Sequence, residues 1–198
     1  MPSMTKPVMG TATEPLPCIG VVLAGGLSSR MGRDKALLDW QGRPLIERQL
    51  AVLREAGVVD VRVSGHRPSY HGVVDALPQA GPLGGLAGIA DALGGNTELL
   101  VIPVDMPLLQ AALLRRLRDE QPHARCLRFA GHVLPMRWCL DAHSRSMLRE
   151  LLQHDDPRQR SLHALQAAIG SSEIALNAAE ATQLTDCNTQ ANWSEVAG

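Results

Sequence analysis

A short polar segment near the N-terminus has the residue types expected of a phosphate-binding loop. Residues 23–35 read LAGGLSSRMGRDK. Glycines such as Gly25 and Gly26 let the backbone turn sharply and approach a ligand closely, and successive backbone N–H groups in such a loop can bind phosphate oxygens. Arg30 and Lys35 add positive charge where a triphosphate would lie. The segment predicts a nucleotide site; the alternative is an ordinary glycine-rich connection with two solvated bases.

The loop differs from the two common phosphate-binding motifs. It contains no GxxxxGK[ST] pattern, and no GxGxxG pattern follows the preceding apolar run. A motor-type NTPase and a dinucleotide-dependent dehydrogenase are therefore both disfavoured.

Two aspartates follow apolar segments elsewhere in the chain. Asp105 comes after the apolar segment 98–104, and Asp75 comes after 73–74 and before the glycine-rich residues 81–85. Ligands of parallel sheets bind at the carboxyl ends of the strands, and a carboxylate there can bind Mg²⁺, which takes oxygen ligands and bridges phosphates. A lone aspartate before a proline is otherwise a turn or helix cap.

Strand and helix patterns alternate through the first half of the chain, as in an α/β domain. Apolar runs without alternation predict strands that are covered on both faces, and apolar residues at helical spacing predict the helices between them. The second half is less regular, with a possible hairpin around Gly131. We predict strands at 19–24, 58–63, 73–74, 98–104, 125–129 and 132–140, and helices at 44–56, 85–93, 108–120, 141–153 and 161–169. These elements predict an α/β fold with a mostly parallel sheet.

Composition limits the number of domains and the classes of partner. A chain of 198 residues with 45% hydrophobic residues suffices for one well-buried domain and is too short for two large ones. A net charge of −1 and 3% aromatic residues argue against nucleic acid and anionic membranes as partners. No cysteine belongs to a CxxC pair, which disfavours zinc and disulfide frameworks and favours a reducing cytoplasm. The four are Cys18, Cys126, Cys139 and Cys187.

The N-terminal residues 1–17 have a different composition from the rest. They contain four prolines among small polar residues and no apolar core of a secretory signal. No apolar run in the chain is long enough to span a membrane. We predict a disordered tail at 1–17, followed by one domain at 18–198.

The glycine-rich loop resembles a family signature. LAGGxSxRMGxDK is similar to the signature of the molybdenum cofactor guanylyltransferases, a branch of the Rossmann-like nucleotidyltransferases; the resemblance covers roughly residues 19–190. Related enzymes acting on sugar phosphates or methylerythritol phosphate typically have proline before the lysine, where this chain has Asp34. The resemblance implies a single Rossmann-like domain, with a mostly parallel twisted sheet and helices on both faces.

The resemblance also assigns roles to individual residues. Arg30, Lys35 and Asp105 are implied to be catalytic, and Asp105 is implied to bind Mg²⁺. The segment 186–189 is similar to the family's Asn-x-Asn-Thr, so Asn188 is implied as a second residue at the metal or phosphates, although Asp186 replaces the first asparagine. Ser64 stands where family members often have asparagine. The implied contacts with GTP are Leu23, Ala24, Gly25, Gly26, Lys35, Ser64, Asp75, Gly81 and Asp105.

The implied reaction is the transfer of GMP from GTP to the phosphate of molybdopterin, with release of pyrophosphate. The segment 131–136 and a basic group at 158–161 resemble family regions near the pterin, and cofactor-synthesis proteins and acceptor apo-enzymes are possible protein partners. One alternative is a CTP-dependent molybdopterin cytidylyltransferase, whose signature resembles LAAG; Gly25 favours GTP. The other is a carrier that binds nucleotide or pterin without catalysis, which would not need both Lys35 and Asp105.

Overall fold

The computed structural model describes residues 16–25, 34–188 and 193. Most of the predicted tail lies outside these residues. The carbonyl oxygen of Pro17 accepts hydrogen bonds from Thr97 Oγ1 at 2.6 Å and from the backbone nitrogen of Glu98 at 3.0 Å. Contacts with the domain are thus present one residue before its predicted start. No helix in the described ranges is long and apolar enough to cross a lipid bilayer.

Strands and helices alternate along the described chain. The strands are β1 (Cys18–Leu23), β2 (Asp39–Trp40), β3 (Arg43–Pro44), β4 (Asp60–Ser64), β5 (Thr97–Pro103), β6 (Cys126–Phe129), β7 (Met136–Leu140) and β8 (Ser171–Ile174). The helices are α1 (Leu45–Glu55), α2 (Pro82–Ala92), α3 (Ala111–Asp119), α4 (Ala142–Leu152), α5 (Leu162–Ile169) and α6 (Ala178–Thr182). Two short 3₁₀ helices cover Lys35–Leu37 and Pro68–Tyr70.

Six strands form one mixed sheet in the order β4-β1-β5-β7-β6-β8. Strand β7 is antiparallel to β5 and β6, and the remaining neighbours are parallel. Strands β2 and β3 pair separately as a small antiparallel hairpin. The prediction of an α/β fold with a mostly parallel sheet is confirmed. Because β4, β1 and β5 are parallel neighbours, their carboxyl ends lie along the same edge of the sheet.

Helices cover both faces of the sheet. Alternate residues of a strand point to opposite faces, and in β5 Leu100 and Ile102 pack on one face while Leu99 and Val101 pack on the other. The first face buries residues of α1 and α3, and the second buries residues of α2, α4 and α5. The apolar runs of β1 and β5 are explained by this double cover, since neither side of these strands faces water.

Some elements differ from the sequence prediction. The predicted strand at 73–74 is reduced to a single bridge between Ser64 and Val73, and Val74 is 61% exposed. Strand β8, helix α6 and the β2–β3 hairpin were not predicted. Strand β8 has only one buried residue, Ile174, because it lies at the edge of the sheet. Short polar edge strands carry little hydrophobic pattern, so β8 could not be recognised from its residues alone.

A buried arginine secures the end of α3. Arg137 on β7 is 1% exposed and lies 3.4 Å from Glu98 through its Nε atom. Its two terminal nitrogens donate to the carbonyl oxygens of Arg118, Glu120, Gln121 and Ala124. The guanidinium group therefore satisfies carbonyl groups that the end of a helix leaves without partners.

Replacing Arg137 with methionine should strongly destabilise the fold. The change leaves several carbonyl groups and Glu98 without their partner, and breaking a buried pair typically costs about 3–5 kcal/mol. Urea unfolding of Arg137→Met measures this loss. The control is Arg125→Met, whose half-exposed side chain pairs with Asp141, so its loss should be below about 1 kcal/mol. Equal losses in the two variants would contradict the buried-cap role of Arg137.

Candidate active site

Three parallel strands bring the predicted site segments to one edge of the sheet. The backbone nitrogen of Ala24, after β1, donates to Ser64 at the end of β4 at 3.2 Å. The backbone nitrogen of Val104, after β5, donates to Leu23 at 3.2 Å. The start of the glycine-rich loop and the segment that contains Asp105 therefore lie side by side, as ligand sites of parallel sheets require.

Lys35, Asp105 and Asn188 meet at this edge. The Lys35 Nζ atom lies 3.0 Å from Asp105 Oδ2 and also donates a hydrogen bond to Asn188 Oδ1. The side chains of Lys35 and Asp105 are 17% and 18% exposed, so the pair is only partly screened by water. The structure thus brings together three predicted site residues from three distant parts of the chain.

Two neighbouring residues of α1 hold the segment after β5. Gln49 is fully buried, and its Nε2 atom donates to the carbonyl oxygen of Met106 at 2.7 Å. Arg48 donates to the carbonyl oxygens of Pro107 at 3.1 Å and Leu109 at 3.0 Å. The sequence analysis missed this role, although a glutamine on the apolar side of a predicted helix was the available signal. These contacts fix the backbone on the C-terminal side of Asp105.

The C-terminal segment is also attached to the site. The backbone nitrogen of Cys187 donates to the carbonyl oxygen of Asp105 at 2.9 Å, which places Asn188 beside Lys35. Farther along, the rings of Trp193 and Trp40 contact each other edge to face, with centroids 5.8 Å apart. Trp40 lies in β2, five residues after Lys35. The Asn188–Lys35 and Trp193–Trp40 contacts therefore hold the C-terminal segment against residues 35–40.

Asp75 presents a carboxylate oxygen that no described residue binds. Its Oδ1 atom is buried and accepts no hydrogen bond within the part of the chain that the structure describes. Burial raises the pKa of Asp75 above its ordinary value because desolvation disfavours the charged form. A Cβ atom added at Gly25 would lie 3.5 Å from this oxygen. Asp75 is thus next to the start of the glycine-rich loop.

Close backbone packing surrounds Ser64. Gly65 has φ +107°, and a Cβ atom there would lie 2.8 Å from the Cα atom of Gly25, so a side chain would push the two segments apart. A Cβ atom at Gly85 in α2 would lie 2.0 Å from Ser64 Oγ. Ser64 is 2% exposed and its hydroxyl fills the space over Gly85. Its contact with nucleotide stays a prediction.

Arg67 is a residue near the site that the sequence analysis missed. Its Nη2 atom donates to the carbonyl oxygen of Ala24 at 2.9 Å and to Asp34 Oδ1 at 2.8 Å. Its Nη1 atom forms an ion pair with Asp34 Oδ2. These hydrogen bonds hold the pKa of Asp34 below its ordinary value. The available signal was a basic residue three positions after the end of β4.

The remaining predicted residues are distributed as follows. Leu23 ends β1, and Gly81 precedes α2 with φ +63°. Gly26 and Arg30 lie outside the described residues, so their predicted roles stay predictions. On the predicted pterin side, Ser161 accepts a hydrogen bond from the backbone of Ala164 at 3.2 Å and caps α5. Its hydroxyl therefore has a structural partner.

The residues around Asp105 suit a cation that arrives with phosphates. The side-chain oxygens of Asp105 and Asn188 both face one positive centre, the ammonium group of Lys35. No group of three or more His, Cys, Asp or Glu side chains that could hold a metal occurs in the described ranges. One carboxylate plus an amide oxygen fits Mg²⁺, which is commonly bound by one or two carboxylates together with substrate phosphates.

Comparisons with solved structures agree with the fold described above. The solved structure of molybdopterin-guanine dinucleotide biosynthesis protein A from Archaeoglobus fulgidus superposes with a TM-score of 0.71 at 15% identity, covering 90% of this chain and 96% of that chain. A Mycobacterium tuberculosis protein, solved as a complex with manganese, gives 0.65 at 20% identity and covers 91% of this chain and 98% of that chain. These two likenesses show the fold.

The family is shown by sequence. The model of the MobA-like NTP transferase domain matches residues 20–173. A molybdenum cofactor guanylyltransferase from Xanthomonas euvesicatoria is 48% identical over 180 residues, which are 91% of this chain and 94% of the relative. With a matched family model over most of its length and a relative of this similarity, the chain belongs to the MobA-like NTP transferases, among the molybdenum cofactor guanylyltransferases.

Proposed function

We propose that the chain transfers GMP from GTP to the phosphate of molybdopterin and releases pyrophosphate. The observation that carries the proposal is the cluster of Lys35, Asp105 and Asn188 beside the start of the glycine-rich loop. In the reaction, a phosphate oxygen of molybdopterin forms a bond to the α-phosphorus of GTP while the bond from that phosphorus to the bridging oxygen of pyrophosphate breaks. The nucleophile is already an anion, so no strong general base is required.

The chain mainly has to bring two anions together and reduce their repulsion. Lys35 supplies a positive charge that binds triphosphate oxygens once a nucleotide enters the site. Arg48 and Gln49 hold the backbone after Asp105, and Arg67 holds Ala24 next to the loop. A site whose charges are fixed before the reaction loses little energy in reorganisation.

We propose Mg²⁺ as the metal ion, held by Asp105 with Asn188 as a second oxygen donor. When bound, a divalent ion supplies Lewis-acid stabilisation of charge on the phosphates. A protein of the same fold was solved as a complex with manganese, which supports a divalent ion as the metal used by this chain. One oxygen of Asp105 and one of Asn188 converge on the Lys35 ammonium group, which supports these two residues as ligands of the metal ion.

Asp75 is proposed to contact the nucleotide. A buried carboxylate oxygen without a partner is unfavourable, and a donor group of the base or ribose would satisfy it. Guanine offers N–H groups at two positions of its pairing edge, whereas cytosine offers one amino group there. The GTP assignment follows the relatives and the presence of glycine at position 25.

Pyrophosphate release tests the function directly. Protein, Mg²⁺ and molybdopterin are mixed with GTP or CTP, and pyrophosphate is measured over time. Release with GTP and little with CTP is expected. Preference for CTP would identify a cytidylyltransferase, and nucleotide binding without any release would identify a carrier.

Gly25→Ala should narrow the preference for GTP over CTP. The added methyl group fits against the described residues, of which the nearest atom is Asp75 Oδ1 at 3.5 Å, so the fold should be unaffected. It would lie in front of Asp75 and crowd a purine more than a pyrimidine. One such clash costs on the order of 1–3 kcal/mol, or roughly 10- to 100-fold in relative kcat/KM.

The measurement is kcat/KM for both nucleotides in wild type and variant. Gly94→Ala is the matched control, because a Cβ atom there has none of the described residues within 4 Å and Gly94 follows α2, far along the chain from the loop. It should leave the ratio unchanged. An unchanged ratio in Gly25→Ala as well would mean that Gly25 takes no part in base selection.

A further inference from the structure

One guanidinium group joins two positions near the ends of the glycine-rich segment 23–35. Ala24 lies near its start and Asp34 near its end, and Arg67 bonds to both. The Nε and Nη2 atoms of Arg67 donate to the carbonyl oxygen of Ala24 at 3.2 and 2.9 Å. Its Nη1 and Nη2 atoms donate to the two carboxylate oxygens of Asp34. An arginine can do this because its donors form a rigid planar fork.

Arg67 itself is fixed by the turn that follows it. The carbonyl oxygen of Arg67 accepts hydrogen bonds from the backbone nitrogens of Tyr70 and Gly72, each at 2.9 Å. On the other side, the backbone nitrogens of Gly65 and Val73 donate to Val73 and Val63 at 2.8 Å. The turn is thereby tied to β4, and the side chain of Arg67 is only 17% exposed.

Asp34 transmits this restraint to Lys35. Its Oδ1 atom also accepts a hydrogen bond from the backbone nitrogen of Ala36 at 3.1 Å and caps the short 3₁₀ helix that begins at Lys35. The same carboxylate therefore binds Arg67 on one side and the backbone around Lys35 on the other. Moving Asp34 would move both the end of the loop and the base of the Lys35 side chain.

We propose that Arg67 is a positioning residue for nucleotide binding, which fixes the separation of Ala24 and Asp34 and thereby holds Lys35 in place for a triphosphate. The proposal rests on the proposed nucleotidyl transfer. It assigns Arg67 no contact with the nucleotide. Without Arg67, part of the binding energy of the nucleotide must be used to bring Ala24 and Asp34 together. The apparent affinity then falls in proportion to the fraction of molecules that are competent to bind.

The first test is the variant Arg67→Met. Calorimetry measures the dissociation constant for binding of Mg²⁺–GTP to the protein, and steady-state kinetics measures kcat and KM. Charge-assisted hydrogen bonds of this kind support an effect on the order of 10- to 100-fold on affinity. We expect KM for GTP to rise by a similar factor and kcat at saturation to change by less than about threefold, since a bound nucleotide restores the positions of Ala24 and Lys35. A fall in kcat with unchanged KM would overturn the proposal.

Two further variants separate bridging from simple attraction of phosphate. Arg67→Lys keeps the charge but cannot bind Ala24 and Asp34 together, so it should resemble Arg67→Met. Full rescue by lysine would show that only the charge matters. Asp34→Asn should weaken nucleotide binding as well, and the double variant Asp34→Asn with Arg67→Met should be no worse than the more affected single variant. Additive losses would mean that the two residues act separately.

Arg145→Met controls for loss of stability. Arg145 also binds backbone carbonyl groups, those of Ala90, Leu93 and Gly95. Arg145→Met should lower the melting temperature and leave the dissociation constant for Mg²⁺–GTP unchanged. A raised dissociation constant in this variant would show that a general loss of stability explains the effect of Arg67→Met. All measurements are repeated with CTP. If wild type prefers CTP, the base assignment fails and the Arg67 comparison is made with CTP; if it binds neither, both proposals fail.

Discussion

Asp105→Asn is expected to abolish GMP transfer together with its dependence on Mg²⁺. Asparagine keeps the shape of the side chain and can still accept a hydrogen bond from Lys35, but it lacks the negative charge that a divalent ion requires. A bound metal contributes several kcal/mol to phosphoryl-type transfer. At about 1.4 kcal/mol for each factor of ten, the expected loss is on the order of 10³-fold or more in kcat.

A Mg²⁺ titration of initial rates, with wild type and variant at saturating GTP, measures this effect. Binding of Mn²⁺ in the presence of GTP gives a second readout that does not depend on turnover. Asp119→Asn is the control, since its side chain is 63% exposed and pairs with Arg118 at the end of α3. A variant at position 105 that keeps its turnover and its Mg²⁺ midpoint would make Asp105 a structural cap.

Lys35→Ala is expected to reduce kcat on the order of 10²- to 10³-fold, the range found when one preorganised electrostatic contact is removed. The effect on stability should be much smaller. The Lys35–Asp105 pair is partly exposed and bridges the loop and β5, so a loss of about 1 kcal/mol in the free energy of unfolding is expected, near the upper end for solvent-accessible pairs.

Lys35→Arg and Arg62→Ala complete this experiment. The arginine variant keeps the charge but places it differently, so it should recover only part of the rate. Arg62 pairs with Asp60 and both side chains are nearly half exposed; its loss should affect neither rate nor stability measurably. Near-normal product formation by a folded Lys35→Ala protein would remove Lys35 from the mechanism.

The two experiments report on different functions of one cluster. Lys35 and Asp105 contact each other, so their effects on folding should be coupled rather than additive. Mg²⁺ dependence distinguishes them, because it should persist at a reduced rate in Lys35→Ala and disappear in Asp105→Asn.

The order of strands and helices was predictable from the sequence, as were the two segments that contain the candidate site residues. The apolar runs of β1 and β5 gave a clear signal because both faces of these strands are covered by helices. The glycine-rich loop was recognisable because it follows such a run directly. The role of Asp105 rested on the family resemblance, since a lone aspartate before a proline is otherwise a turn or helix cap. The edge strand β8 was not, because it buries a single residue.

Which residues act together depends on the folded chain. The sequence placed Lys35 in a polar loop, whereas the folded chain sets its side chain between Asp105 and Asn188, which are 70 and 153 residues away along the chain. The roles of Arg67 and Gln49 depend on carbonyl groups of Ala24 and Met106. Backbone carbonyl groups are the same in every residue, so no pattern of side chains reveals which of them an arginine or a glutamine will meet; the packing of the sheet and its helices sets those distances.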